Sequence, residues 1–243
     1  MATFVLVHGT WHGGWCWAPV ARRLSERGHA AFAPTMPGHA LDAERVGINN
    51  EHCADALVAF IQQRDLHDVI LVGHSWGGTL LSAVAPRLVN RLQRLVYASA
   101  FVLEPGESQL DVLPPDYVGL FEKLAASTPD RSLPPPAFEI WQEAFMQDAG
   151  AEAQRLAHNL LSPSPFGCWE TKNAVAVRDL DVAKSYINPR HDISLPPGEF
   201  AWLPRFANRL GEHRFVETDG SHEACFTRPV GLADTLLEAS ELD

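Results

Sequence analysis

Short apolar runs alternate with helical patterns along the first 100 residues of the chain. The apolar runs predict strands at 3–8, 29–34, 68–73 and 94–100. Apolar residues at helical spacing predict helices at 19–28, 52–64 and 78–89. Because each crossover between parallel strands needs about a dozen residues or more, this alternation favours a parallel sheet with helices on both faces. The same pattern returns near the end, with strands at 181–188 and 213–220 and a closing helix at 230–240.

The segment between these two blocks is rich in proline and contains helical pieces, but it has no pattern of a parallel strand. A proline-rich linker is one interpretation, yet a solvated linker has no need of large aromatic side chains. This segment contains several of them, including Trp141, Phe145, Phe166 and Trp169. We therefore predict an α/β fold with a core of residues 1–104 and 181–243 and a folded cap of residues 105–180 laid over the sheet.

The composition bounds the number of domains and the kind of partner. A chain of 243 residues with 46% hydrophobic composition can bury one sizeable core. Its formal net charge of −11 argues against nucleic acid or an anionic membrane as a partner, since both bind basic surfaces. We expect a small, neutral substrate instead, and nothing in the sequence specifies an oligomeric state.

Targeting signals and paired cysteines are not predicted. The segment MATFVLVHGT has no basic region before its apolar stretch, which is too short for a signal peptide, and no window of about 18 apolar residues predicts a membrane span. We therefore expect a cytoplasmic protein. The chain has four cysteines and no CxxC pair, so we expect small buried thiols rather than a disulfide framework or a zinc site.

The segment VILVGHSWGG contains the pattern GxSxG, in which Gly73, Ser75 and Gly77 lie between a predicted strand and a predicted helix. The chain turns sharply at such a junction, and the two glycines leave room for a strained backbone at the serine. A tight turn without a catalytic role would also use these glycines, but the strand before and the helix after favour a nucleophile elbow. Ser75 is therefore the candidate nucleophile.

A serine hydroxyl needs a general base, and the base needs a group that fixes its tautomer. His222 follows a predicted strand and precedes the last helix, so its loop belongs at the same carboxyl edge of the sheet as Ser75. The first choice for the acid is Asp192, because it lies between Ser75 and His222 along the chain, and the order Ser, Asp, His is known from one class of hydrolases. Glu104 is the second choice, whereas Asp219, directly before a glycine, is more typical of a turn.

Two backbone N–H groups are then needed to stabilise the negative charge that develops on the substrate oxygen. We assign one to Trp76, the residue after the nucleophile, and the other to Thr10 in the loop after the first strand. This chemistry requires no cofactor and no metal. The candidate substrate contacts are Gly9, His12, Trp141 and Phe145.

Taken together, FVLVHGTWHGGWCW, VILVGHSWGG, NPRHD and DGSH resemble the α/β-hydrolase superfamily, and within it the branch of plant methyl-ester esterases, hydroxynitrile lyases and bacterial esterases of similar length. The resemblance implies a mostly parallel, doubly wound sheet with a helical cap inserted after the sixth strand. It also implies a cofactor-free triad of Ser75, His222 and Asp192.

Two positions separate the chemistries of this branch. The resemblance implies that a hydroxynitrile lyase would carry threonine after the first motif histidine, and lysine after the catalytic histidine to hold cyanide. This chain has Gly9 and Glu223 there. A carboxylate would repel the departing cyanide and a glycine leaves space for an acyl group, so both residues favour ester hydrolysis. Thr35 stands where many relatives have aspartate, a change that we expect to affect a loop but not the triad.

We therefore predict an esterase that cleaves a small to medium, largely apolar carboxylic ester, or a lactone or thioester, through an acyl-enzyme. Three alternatives use the same scaffold. They are a carbon–carbon bond hydrolase or hydroxynitrile-lyase-like enzyme, a ligand-binding receptor, and a thioesterase of a biosynthetic assembly line. Cleavage of a cyanohydrin or a β-diketone would indicate the first alternative. The third requires a surface that binds a carrier protein, which is often basic, and the negative net charge of this chain does not favour one.

Overall fold

A computed structural model of the chain describes residues 1–241, and its centre is a parallel sheet of six strands. The strands along the chain are β1 (Thr3–Val7), β2 (Ala30–Phe32), β3 (Val69–Ser75), β4 (Leu92–Ala100), β5 (Ser132–Leu133), β6 (Ser164–Pro165), β7 (Ala183–Pro189) and β8 (Arg214–Thr218). The sheet has the order β2-β1-β3-β4-β7-β8, and β5 and β6 form a separate antiparallel pair. The predicted α/β fold is confirmed.

Helices connect the strands on both faces. They are α1 (Ala18–Glu26), α2 (Asn50–Gln63), α3 (Gly77–Leu88), α4 (Pro115–Ala126), α5 (Phe138–Ile140), α6 (Ala151–Asn159), α7 (Gly167–Glu170), α8 (Arg205–Asn208), α9 (Ala224–Thr227) and α10 (Pro229–Ala239). A π-helical turn, Trp141–Phe145, continues α5. Short 3₁₀ helices occupy Gly14–Trp17, Val89–Arg91, Leu110–Val112 and Val177–Asp179. No helix among the described residues is long and apolar enough to cross a membrane.

The alternation of side chains along the strands divides the core into two layers. Val5 and Val7 of β1 pack in the layer that contains α2, α3 and much of the segment between β4 and β7. Phe4 and Leu6 point to the opposite face, where α1 and α10 cover the sheet. Because successive residues of a strand face opposite sides, a strand covered on both faces is apolar throughout. This explains why β1 and β3 read as continuous apolar runs.

The segment predicted as the cap contains the elements from α4 to α7 and the pair β5–β6. Counted along the chain, this segment follows the fourth strand rather than a sixth, because only β1 to β4 precede residue 104. The strand predicted at 29–34 is shorter than expected, since β2 covers only Ala30–Phe32 at the edge of the sheet and Pro34 has no N–H to donate. Residues 242 and 243 of the predicted core lie outside the described residues.

The strand order positions the loops that carry the candidate site. The chain moves from β1 outward to β2 and then returns to the other side of β1 with β3. The winding direction therefore reverses between β1 and β3, and ligands of open α/β sheets bind outside the carboxyl ends of the strands at such a point. The loop of Thr10 follows β1 and Ser75 ends β3, so both lie at this crevice.

Candidate active site

Ser75 lies at a sharp junction, where β3 ends and α3 begins at Gly77. Its φ angle is +52°, a left-handed conformation that is strained for a residue with a side chain. A Cβ atom on Gly73 would lie 2.7 Å from the carbonyl carbon of Gly77, and one on Gly77 would lie 2.9 Å from the carbonyl oxygen of His8. Both glycines are therefore required by the close approach of strand and helix, and Ser75 faces the cavity described below.

His222 and Asp192 form a buried pair at the carboxyl edge of the sheet. His222 Nδ1 lies 2.7 Å from Asp192 Oδ2, and the two side chains are only 3% and 1% exposed. Ser99 also donates a hydrogen bond to Oδ2, while the Ser194 N–H and hydroxyl donate to Oδ1 at 2.9 and 2.7 Å. The carboxylate is held by four donors, so it can hold the imidazole of His222 in one orientation.

The environment of this pair shifts both pKa values. Burial raises the pKa of Asp192, but the facing charge of His222 and hydrogen bonds from His222, Ser99 and Ser194 outweigh burial and lower the pKa to about 2. Burial lowers the pKa of His222, but the charge and hydrogen bond of Asp192, together with Glu223, raise it above its ordinary value of 6.5. Because Nδ1 donates to Asp192, the neutral ring has its lone pair on Nε2, the nitrogen that a general base uses.

The other two candidate acids lie elsewhere. Glu104 forms an ion pair with Arg178, and its side chain is 31% exposed. Asp219 is exposed and forms ion pairs with Arg228 and His191, each at 3.2 Å. Neither carboxylate contacts His222 among the described residues.

The loop after β1 is anchored by the segment around β6. Trp11 has a φ angle of +66°, its N–H donates to Ser164 Oγ at 2.7 Å, and its carbonyl accepts from the Ser162 N–H at 2.9 Å. The N–H groups of Thr10 and Trp76 have no acceptor in the loops and caps of the described residues. They are therefore free to donate to a substrate oxygen, the role that the sequence predicts for them.

A second anchor of this loop involves Thr35. Its hydroxyl accepts a hydrogen bond from the Gly14 N–H at 2.9 Å. Thr35 therefore holds the loop after β1, and it has no hydrogen bond to a residue of the candidate triad.

A narrow cavity of about 60 Å³ opens onto Ser75. Of the predicted substrate contacts, Gly9, His12 and Phe145 line it. Trp141 does not, so this prediction is corrected: the indole is fully buried behind the lining, stacked on Phe145 at 5.7 Å with its N–H directed to a main-chain carbonyl. The sequence pattern identified an aromatic cap but not which ring faces the cavity.

Several lining residues were missed by the sequence analysis. Four of them belong to the predicted cap: Leu113, Tyr117, Phe121 and Trp169. Trp202 comes from the loop after β7, stacks on the His222 ring at 5.3 Å and donates its indole N–H to Ser194 Oγ at 3.0 Å. This loop has no hydrophobic periodicity, so the only available signal was a tryptophan shortly after a candidate acid.

The predicted cap also contacts the loop of the candidate base. The Glu223 N–H donates to the Phe145 carbonyl at 3.2 Å, and the Ser221 N–H donates to Asp148 at 3.3 Å. From the core side, His74 Nε2 donates to the His222 carbonyl at 3.0 Å. The main chain on both sides of His222 is therefore held. Phe145 ends the π-helical turn, and such turns are frequent at functional sites.

The side chain of Trp76 has a structural role apart from its N–H. Its indole donates to Asn50 Oδ1 at 2.9 Å and stacks on His39 at 4.5 Å. Trp76 is not among the residues that line the cavity, so the indole does not narrow it.

The repulsion of cyanide expected from the sequence assumes that Glu223 is a carboxylate. Its side chain is 1% exposed and burial raises its pKa well above 4.5, so burial favours the protonated form, which does not repel cyanide. What remains is that position 223 carries no cation to hold cyanide.

One group of side chains has the composition of a metal site. Single ligand atoms of His74, His222 and Glu223 lie within 4.8 Å of one another. A cation there would compete for the ring of His222, the candidate base, and burial favours the protonated form of Glu223, which is a poor ligand. We therefore assign no metal to this group.

Comparison with known sequences places this geometry in a known family. The sequence profile described as the alpha/beta hydrolase family matches residues 4–235. The chain belongs to the α/β-hydrolase family. Among its relatives, a carbendazim hydrolyzing esterase of Nocardioides sp. is 45% identical over 117 residues, which are 47% of this chain and 48% of that protein. Methylesterase 18 of Arabidopsis thaliana is 26% identical over 98% of this chain and 96% of its own length.

Comparison with solved structures supports this membership. An extracellular alpha/beta-hydrolase from a Paenibacillus species superimposes with a TM-score of 0.94 at 28% identity, over 98% of this chain and 99% of that one. The relatives carry names of esterases and hydrolases, and this α/β-hydrolase is accordingly an enzyme of the carboxylic ester hydrolase class.

Proposed function

We propose that this α/β-hydrolase is a serine esterase that cleaves small to medium, largely apolar esters through Ser75, His222 and Asp192. The observation that carries the proposal is the 2.7 Å contact between His222 Nδ1 and Asp192 Oδ2 in loops that converge with the strained Ser75 on one cavity. The left-handed backbone at Ser75 supports this role, because strained residues cluster at active sites.

The proposed reaction has two halves. Ser75 Oγ attacks the ester carbonyl while His222 Nε2 takes the hydroxyl proton, and the N–H groups of Thr10 and Trp76 stabilise the oxyanion. Collapse of the intermediate expels the alcohol, which receives the proton from His222. A water deprotonated by His222 then attacks the acyl-enzyme, releases the acid and restores Ser75.

The cavity lining supports the substrate class. Aromatic and aliphatic side chains dominate it, and no lysine or arginine is among the described lining residues. A substrate with a free carboxylate would therefore lose hydration without gaining a cation, so a neutral ester fits best. A methylesterase among the relatives agrees with a small alcohol group. We further propose a small molecule as the only class of partner, without nucleic acid or membrane, and a cytoplasmic location.

The test is turnover of p-nitrophenyl esters of graded acyl length by the wild type and by Ser75→Ala, with Ser25→Ala on the surface of α1 as the matched control. We expect Ser75→Ala to lower kcat by a factor on the order of 10⁶ and Ser25→Ala to leave it unchanged. Equal rates for wild type and Ser75→Ala would remove the nucleophile assignment. Binding without turnover by the wild type would favour the receptor alternative.

A further inference from the structure

Glu223 is the acidic residue of the cavity and the reaction proposed above does not use it. It directly follows His222, and among the described residues that line the cavity it is the only acidic one. Its side chain is 1% exposed and has no lysine or arginine partner among the described residues. Burying a carboxyl group without a cation costs free energy unless the group is neutral and hydrogen-bonded. The contacts of Glu223 therefore bear on its role.

The partner of Glu223 is His12, whose tautomer is fixed by the main chain. His12 Nδ1 lies 2.7 Å from the Thr10 carbonyl oxygen, which only accepts, so Nδ1 bears the hydrogen. Burial lowers the pKa of His12 to about 3, so the ring is neutral and Nε2 carries a lone pair. That nitrogen lies 3.4 Å from Glu223 Oε2.

Oε2 faces two neighbours, because His12 Nε2 lies 3.4 Å away and the Cys225 thiol donates to it at 3.6 Å. Burial raises the pKa of Glu223 well above 4.5 and so favours the protonated form of this carboxyl group. The second carboxyl oxygen, Oε1, can accept a hydrogen bond whether the proton lies on Oε2 or is absent. It forms no hydrogen bond with any described residue. An unused acceptor in an apolar cavity is available to a ligand.

Glu223 lines the cavity close to the reacting groups. One carboxyl oxygen of Glu223 lies within 4.8 Å of a ring nitrogen of His222. The same ring has to reach the hydroxyl of Ser75, so the carbonyl carbon of a bound ester lies beside both. A polar substituent one bond from that carbon is within reach of Glu223.

We propose that Glu223 determines acyl specificity, and that its Oε1 accepts a hydrogen bond from a hydroxyl or N–H group on the atom next to the ester carbonyl carbon. The preferred substrates are then esters with one hydrogen-bond donor at this atom and an otherwise apolar acyl group. This inference rests on the proposed esterase function and narrows its substrate class.

The experiment compares isosteric esters that differ in one donor. Methyl mandelate is paired with methyl 2-phenylpropanoate, and methyl lactate with methyl isobutyrate, so that a methyl group replaces the hydroxyl and the smaller pair controls for acyl size. For the wild type we expect kcat/KM to favour the hydroxy ester by about tenfold, the effect of one hydrogen bond. Comparing this ratio between variants cancels the intrinsic reactivity of the esters.

Two variants of similar shape separate hydrogen bonding from packing. In Glu223→Gln the amide N–H can donate to His12 Nε2 and the amide oxygen remains an acceptor, so the preference should persist. Glu223→Met has neither group, so the preference should vanish while methyl 2-phenylpropanoate is still hydrolysed. A second measurement does not depend on activity: the dissociation constants of methyl mandelate and methyl 2-phenylpropanoate are determined with Ser75→Ala and with Ser75→Ala/Glu223→Met. Ser75→Ala should bind the hydroxy ester about tenfold more tightly than its partner, and the double variant should bind both equally.

The outcomes distinguish this inference from the function on which it depends. Hydrolysis of all four esters with ratios that Glu223→Met does not change would overturn the role of Glu223 and leave the esterase proposal intact. Equal dissociation constants in both Ser75→Ala proteins would do the same. Failure of the wild type to hydrolyse any ester, p-nitrophenyl esters included, would remove the esterase proposal and this inference with it.

Discussion

The core side and the cap side of the cavity differ in chemistry and in construction. On the core side, Ser75, His222 and Asp192 are held by the carboxyl ends of parallel strands and by hydrogen bonds within the core. On the other side, Tyr117, Phe121 and Trp169 present aromatic rings and no charge. The difference teaches that the polar groups of the cavity come from the core, while the covering segment supplies apolar rings that shape it.

The two sides are nevertheless linked by a few hydrogen bonds. Ser164 holds the loop after β1 at Trp11, and the Phe145 carbonyl holds the main chain at Glu223. A substitution on the cap side can therefore act in two ways, by changing the shape of the cavity or by releasing a loop of the core.

The largest expected effect lies on the core side, at the acid. Replacing Asp192 with asparagine removes the charge that orients and stabilises the His222 imidazolium, and we expect kcat to fall by about 10⁴. Glu104→Gln is the matched control, because this carboxylate forms an ion pair with Arg178, and its effect should be below about twofold. Steady-state kinetics on one p-nitrophenyl ester measures both. The reverse ranking would move the acid to Glu104.

The pH dependence of the rate tests the same pair. The pKa of His222 is raised above 6.5 by Asp192, and only the neutral ring can accept the serine proton. Activity should therefore be lost as the pH falls, about tenfold per unit below the midpoint, and the midpoint of kcat/KM should lie above 6.5. Glu104→Gln should leave this midpoint unchanged. A midpoint at or below 6.5 would contradict the stabilised imidazolium.

A smaller effect is expected where the cap side supports the core. Ser164→Ala leaves the Trp11 N–H without its acceptor and loosens the loop that carries the proposed oxyanion donor Thr10, so we expect kcat to fall about tenfold with little change in KM. Ser162→Ala is the control, since that hydroxyl donates to the His39 carbonyl and not to the loop. Equal kinetics for both variants would show that the loop does not depend on Ser164.

The smallest effect is expected from the shape of the cavity alone. Phe121→Ala on α4 removes a ring from the lining, so the ratio of kcat/KM for longer over shorter acyl chains should rise about threefold to tenfold. The rate on the acetate ester should change little. Leu120→Ala, on the same helix but with its side chain 46% exposed, should leave the ratio unchanged. A uniform loss on every ester would instead indicate damage to the fold.

The agreement between sequence and structure is closest where local chemistry decides the conformation. Runs such as VILVG are buried on both faces and can only be central strands, and Gly73 and Gly77 are required by a contact that excludes any Cβ. The loop that contains Asp192 has no periodic pattern, and the helical pieces of the cap do not indicate how they pack on one another, so these contacts were not predictable from the sequence. Trp141 shows this limit, because burial depends on which neighbours surround a ring and not on its type.

By itself, the sequence determined the strand order along the chain, the elbow at Ser75 and the candidates His222 and Asp192, because each depends on a local pattern or on the end of a strand. The tertiary structure alone decided between Asp192 and Glu104 as the neighbour of His222, and it buried Glu223 beside His12, where its pKa is raised. The physical reason is that contacts between distant loops and the loss of hydration on burial exist only after the chain has folded.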